Sequence, residues 1–156
     1  MNQGVQKKEV LLGSLLGILV AALTAGCGDG EAVSKEQYVS ELNAMCEDFS
    51  AKEKDIGDPH TLTDLVEKGP RILDAFEKTI VDKVGKLKAP GEIADRADRL
   101  VDLTDQQRNV IAGLVDAAKA NDVAKVRELD SKNKALNKET TSITRELGAK
   151  VCADEN

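Results

Sequence analysis

The sequence predicts an all-α protein: an up-down-up-down four-helix bundle with a kinked or broken second helix, preceded by a signal peptide. Three observations carry this. Apolar residues recur three and four positions apart through four long segments, which is the period of an amphipathic helix. Aromatic residues make up 2% of the 156 residues and Trp is absent, so the core is aliphatic. Such a core suits helices and leaves a β-sandwich without its aromatic cross-strand pairs. Charged residues, 32% of the chain, are mixed in sign along it, the mark of solvated helix faces rather than of a disordered tail.

The N-terminus reads as a targeting device. Lys7 and Lys8 give a short positive region, and Val10 to Ala25 is an uncharged run. A membrane-spanning helix needs about 20 apolar residues; this run is a few short, as in a signal peptide. It ends in Leu23-Thr24-Ala25-Gly26-Cys27, which resembles the lipobox of bacterial lipoproteins. There, small residues let a peptidase grip the backbone, and the cysteine thiol accepts a diacylglycerol. Thr24 at the third place before the cysteine, and Glu9 against the apolar run, depart from the best pattern. The implied organisation is a lipoprotein signal peptide over 1–26, lipidated Cys27 with a flexible tether over 27–33, and a helical bundle domain over 34–156. Two or three acyl chains hold a protein on a membrane where one barely does. The expected location is the extracytoplasmic face of the cell membrane, with attachment through the covalent lipid. An uncleaved anchor with a free cysteine is the competing reading.

Ser34-Lys35-Glu36-Gln37 opens the first helix as a capping box, with Tyr38, Leu42, Met45, Cys46 and Phe49 on one face. Gly57-Asp58-Pro59 ends it. Thr61 and Asp64 open the second helix, which carries Leu65, Ile72, Phe76, Ile80 and Val84 inward. Gly69-Pro70 falls inside it, where proline removes a backbone donor and clashes with the preceding turn, so a kink or break is expected there. Ala89-Pro90-Gly91 makes the next turn. The third helix runs from about Pro90 to Ala120. Asn121-Asp122 caps a fourth, whose inward set extends from Val123 to Val151. Acid-before-base pairs four apart, such as Asp74 with Lys78, Glu92 with Arg96 and Asp95 with Arg99, are predicted to brace the outer faces at about 0.3–0.5 kcal/mol each.

Of three cysteines, lipidation of Cys27 leaves Cys46 and Cys152, and an even pair in an oxidising compartment is predicted to form a disulfide. Two buried reduced thiols are the alternative. The topology sets a difficulty. Cys46 lies about eleven residues (roughly 16 Å) before its helix ends, whereas Cys152 lies roughly 45 Å along the fourth helix. Closure asks for a second helix in pieces and a first helix whose early turns project toward the membrane.

The segment Tyr38-Val39-Ser40-Glu41-Leu42-Asn43-Ala44-Met45-Cys46, the terminal Leu147-Gly148-Ala149-Lys150-Val151-Cys152 and the turn Leu87-Lys88-Ala89-Pro90 together resemble small actinobacterial lipoproteins. These carry a helical domain, one cysteine in the first helix and one near the C-terminus. The resemblance spans the chain, supports pairing of Cys46 with Cys152, and brings no activity with it.

The chain's net charge is −6, and the part after Cys27 is one unit more negative still, since Lys7, Lys8 and Glu9 precede it. No basic cluster exists to displace counterions, which excludes a nucleic-acid partner. His60 is the one histidine, so a ferritin-like di-iron site is excluded by composition; no serine after Cys27 sits in a Gly-x-Ser-x-Gly context, and the single histidine leaves no second candidate for a triad. No catalytic residue, no metal site and no cofactor is predicted. Asp58, His60 and Asp64 read either as a divalent-ion loop or as turn and capping chemistry. Asp95, Asp98, Asp102 and Asp105 read either as a docking stripe for a basic partner or as a solvated face. Four polar residues fall on the inward phase: Thr104 and Gln107 on the third helix, Asn133 and Thr140 on the fourth. They either satisfy one another and set the register, or line a cavity between the helices. The expected function is a non-catalytic interaction or binding module of the cell envelope, with a protein partner there. The alternative is a small-ligand carrier or sensor with a pocket near Gln107 and Asn133.

Overall fold

A computed structural model describes residues 32–154. Cys27, the leader before it and most of the tether lie outside the described residues.

Every regular element among the described residues is helical: α1 (Lys35–Ile56), α2 (Leu62–Phe76), a π-helical stretch Glu77–Val81, α3 (Asp82–Val84), a 3-10 turn Gly91–Ile93, α4 (Ala94–Lys119), α5 (Val123–Leu147) and α6 (Lys150–Asp154). The starts follow local chemistry. The Ser34 hydroxyl accepts from Gln37 N–H at 3.2 Å. Thr61 and Asp64 form a full capping box, and the Asp122 carboxylate accepts from Lys125 N–H at 2.9 Å.

α4 is the spine. It packs along α5 on one side and α2 on the other, while α1 is held chiefly by α2, the π-helical stretch and α6. The main core gathers Tyr38, Leu42, Phe76, Val84, Leu100 and Leu147, with Phe49 set edge-on to Phe76 at 5.4 Å between ring centres. A smaller cluster of Leu103, Val110 and Leu136 joins the α4–α5 seam. Val33 belongs to this domain and not to the tether: it packs on the main core, and its N–H donates to the Lys88 carbonyl at 3.1 Å.

Three expectations are corrected. First, α2 runs unbroken through Gly69-Pro70. Pro70 stands on the exposed face, and Gly69 lies where α2 comes close to Val115 of α4, so tertiary packing offsets the missing donor. The departure from α geometry comes later, at Glu77–Val81, where the buried Thr79 hydroxyl donates to the Ala75 carbonyl at 2.7 Å.

Second, the fourth long helix stops at Leu147 and does not reach Val151. Gly148 adopts φ 92°, Gly148 N–H donates to Arg145 at 3.1 Å, and Ala149 N–H to Thr144 at 2.8 Å. This is a Schellman end, and only a residue without Cβ takes that φ freely. The chain then turns back into α6. That reversal, and not a projecting first helix, brings Cys152 to the middle of α1; the early turn of α1 is packed down, with Tyr38 fully buried.

Third, Asp74 and Lys78 do pair, at 2.7 Å, but Arg96 and Arg99 reach across to Glu146 and Glu139 on α5, at 3.2 and 2.6 Å. Arg99 pairs as well with Asp102, three positions on along its own helix, rather than with Asp95.

Candidate functional site

A cavity of about 270 Å³ lies among α1, α2, α4 and α5. Its position follows from the packing order, since α4 closes on both α5 and α2 while α1 and α5 share little direct helix-to-helix packing. Most of its wall is apolar, with Leu42, Met45, Phe49, Phe76, Leu100 and Leu114 prominent. Ser50 and Glu53 of α1 add polar groups, and the main polar stripe comes from α4 and α5. There the residues run at helical spacing: Thr104 and Gln107 on one helix, Asn133, Asn137, Thr140 and Thr144 on the other.

All four residues predicted from the inward phase therefore line one space. Gln107, buried, gives both ends of its amide to α5: its N–H₂ donates to the Asn137 carboxamide oxygen, and its oxygen accepts from the Thr140 hydroxyl at 3.2 Å. The Thr104 hydroxyl donates to the Val101 carbonyl at 2.8 Å. The Thr144 hydroxyl is shared between the Thr140 and Thr141 carbonyls, at 3.0 and 3.1 Å. The two Gln107 bonds cross from α4 to α5 and set the register between them, while the Thr104 and Thr144 bonds stay within their own helices. Asn133 stands apart, because its buried carboxamide oxygen has no hydrogen-bond partner among the described residues. The two readings of the polar set thus divide between its members. Asn137 was missed, although it sits four after Asn133 and three before Thr140 on the same stripe.

The Cys46 and Cys152 sulfurs lie 2.05 Å apart, a disulfide distance, with their Cα atoms at 5.3 Å. Both residues line the cavity, so the pair is part of its wall. Val151 N–H also donates to the Asn43 side chain at 3.0 Å, which fixes α6 on α1 beside it. Cys27 lies outside the described residues.

The loop and surface candidates take part in capping and surface bonds. Asp64 accepts from the Thr61 hydroxyl, the Thr61 N–H and the His60 N–H at 2.9–3.1 Å. The Thr61 hydroxyl first, then the His60 N–H, hold its carboxyl below the usual carboxylate range. No cluster of metal-ligating side chains occurs among the described residues. Asp95, Asp98, Asp102 and Asp105 are exposed, and Asp102 takes hydrogen bonds from Arg99 and Gln106. Tyr38 is different: its hydroxyl is buried without a partner among the described residues, and burial pushes its phenol above the ordinary value, with the Asp98 carboxylate acting in the same direction.

Val123 is the large hydrophobic residue that stands exposed among the described residues. No described helix is long and apolar enough to cross a membrane. Comparison with known protein families, curated protein sequences and solved structures brings no match. The functional reading rests on the chain's own geometry.

Proposed function

We propose that this chain is an exported lipoprotein whose domain is a non-catalytic carrier or sensor, holding a small apolar ligand between its helices at the outer face of the membrane. The observation that carries the reading is the cavity of about 270 Å³ with apolar walls and a polar seam on one side. Ligand pockets have that make-up, and this volume lies just below their usual range of about 300–1,000 Å³. The up-down-up-down arrangement belongs to the proposal too, supported by the short links from α1 to α2 and from α4 to α5 and by the packing of those pairs. The anchor is supported by Lys7, Lys8, the uncharged run and Leu23-Thr24-Ala25-Gly26-Cys27. The scarcity of exposed apolar side chains favours a ligand inside the domain over a protein docked on its surface.

The test has two arms. Cys27→Ser should leave the precursor unprocessed and without lipid label, and globomycin should leave the native chain unprocessed but still lipid-labelled; normal processing and membrane retention would overturn the anchor. Native mass spectrometry of the protein drawn from the envelope should retain a small-molecule adduct. A Leu114→Phe variant, which fills the cavity, should lose that adduct, and equal retention by both would overturn the ligand reading.

A further inference from the structure

We propose that the cavity is a blind pocket standing mouth-outward on the membrane, exchanging a small water-borne apolar compound with the aqueous phase and not with the bilayer. This inference rests on the anchored-carrier reading and adds to it a direction and a source for the ligand.

The direction comes from exposure along the wall. Leu42 and Met45 of α1, Val84, Leu100 and Cys152 form one end of the lining, each 2–7% exposed. Ser50 and Glu53 of α1, Pro59, Leu114 of α4 and Asn133 of α5 form the other, and all five are half-buried. The floor is therefore at the first end and the mouth at the second. The tether joins at the floor. Val33 packs on the same core as Leu42, Val84 and Leu100, and its N–H bonds to the carbonyl of Lys88, four residues past Val84.

The distances keep the mouth off the lipid. The steps from Cys27 to Val33, fully extended, reach at most about 20 Å. Glu53, at the mouth, stands roughly 27 Å along α1 from Lys35. A mouth at the bilayer would need the domain to lie on its side, with Ser50, Glu53 and Asn133 against lipid. Helix faces that enter the lipid interface carry Trp, Phe and Leu instead. The volume points the same way. A cavity of about 150 Å³ takes benzene, so 270 Å³ takes roughly eleven non-hydrogen atoms. That is one ring with a short side chain, far short of the acyl chains of a membrane lipid.

The test uses the processed, lipid-anchored protein in nanodiscs, with butylbenzene as the probe and the methyl NMR signals of Met45 and Leu114 as reporters. Met1 leaves with the leader, so Met45 gives the one methionine signal. Butylbenzene should shift Met45 saturably. Met45 lies ten residues from the start of α1 and Leu114 twenty from the start of α4. That height difference of roughly 15 Å means a gadolinium-chelate lipid in the nanodisc should broaden Met45 about fourfold more than Leu114. Pro59→Trp, at the mouth, should slow butylbenzene exchange several-fold, while Lys88→Trp, at the floor, should leave its rate unchanged. Equal broadening of the two methyls, or stronger broadening of Leu114, would overturn the outward mouth and leave the carrier reading standing, as would slowing by Lys88→Trp alone. Broadening of neither would overturn the anchor. A Met45 signal that no concentration of butylbenzene moves would sink the carrier reading itself. The gadolinium comparison uses the native chain and stands even where a variant does not fold.

Discussion

Gly69→Ala is the perturbation that most directly probes how α2 reaches α4. An ideal Cβ on Gly69 would lie 2.6 Å from Val115 Cγ2 and 3.4 Å from Leu65 Cδ1. Carbon atoms pack best at about 3.5–4.0 Å, so roughly 1 Å must open between the helices. Val115 cannot swing away, since it is β-branched, held at one χ1 on a helix, and 3% exposed. Overpacking of this kind costs about 1–3 kcal/mol, while replacing a helical glycine by alanine returns about 0.5–1 kcal/mol. The balance is a loss of about 1–2 kcal/mol, or about 4–8 °C in Tm for a domain of this size. Val115→Ala should destabilise by about 2 kcal/mol through lost burial and the space left behind. Combined, the two should be less damaging than their sum by at least about 1 kcal/mol, because each relieves the other. Urea and thermal unfolding of the chain with its cysteines paired would measure this. A stabilised Gly69→Ala variant, or additivity of the pair within about 0.5 kcal/mol, would refute the close α2–α4 approach.

Two further outcomes follow from buried side chains. Cys46 and Cys152 are separated by 106 positions, so replacing both by serine should lower stability by about 4–5 kcal/mol. That is about 2 M in the urea midpoint for a typical slope, and an unmoved midpoint would remove the staple. Tyr38→Phe should raise stability by about 1 kcal/mol, since the hydroxyl it deletes is buried without a partner among the described residues. The pH dependence has a definite sign. The folded phenol holds its proton more tightly than the unfolded one, so its contribution is complete below the ordinary value of 10.0 and declines as pH rises above that. The chain has one tyrosine and no tryptophan, so tyrosinate absorbance follows this group directly. Titration at or below the ordinary value in the folded chain would contradict the burial argument.

Helix starts were legible because their signals are local. Ser34, Thr61 with Asp64, and Asp122 each cap where their spacing to the next apolar residue says they should. The inward phase was legible for the same reason, which is why Thr104, Gln107, Asn133 and Thr140 arrive in one cavity. The failures were tertiary. Pro70 reads as a breaker, yet Ile72, Ala75 and Phe76 are buried just beyond it, and their burial outweighs one lost hydrogen bond. Arg96 and Arg99 had acids four positions before them in sequence, but only the folded chain brings Glu146 and Glu139 alongside. Gly148 was a stop signal in plain view. Its value was hidden because Val151 continues the fourth helix's apolar phase, and a periodic pattern does not report a chain reversal.

The cavity and the paired cysteines are coupled through energetics as well as contact. Two phenylalanines, one tyrosine and no tryptophan leave four long helices with little bulk to fill the space between them. At about 24 cal/mol per Å³, a space of 270 Å³ would cost on the order of 6 kcal/mol if fully enclosed and dry, and this one, partly open to solvent, costs less. That upper figure is comparable to the whole net stability of a small domain, about 5–15 kcal/mol. The cysteine pair, contributing about 4–5 kcal/mol through its long loop, offsets a sum of the same size. A ligand at a hundred times its Kd adds about 2.7 kcal/mol more. The reduced, empty chain is then the least stable form and the oxidised, filled chain the most stable. Under the proposed export, oxidation comes first and makes the unfilled cavity tolerable, and loading then follows outside the membrane.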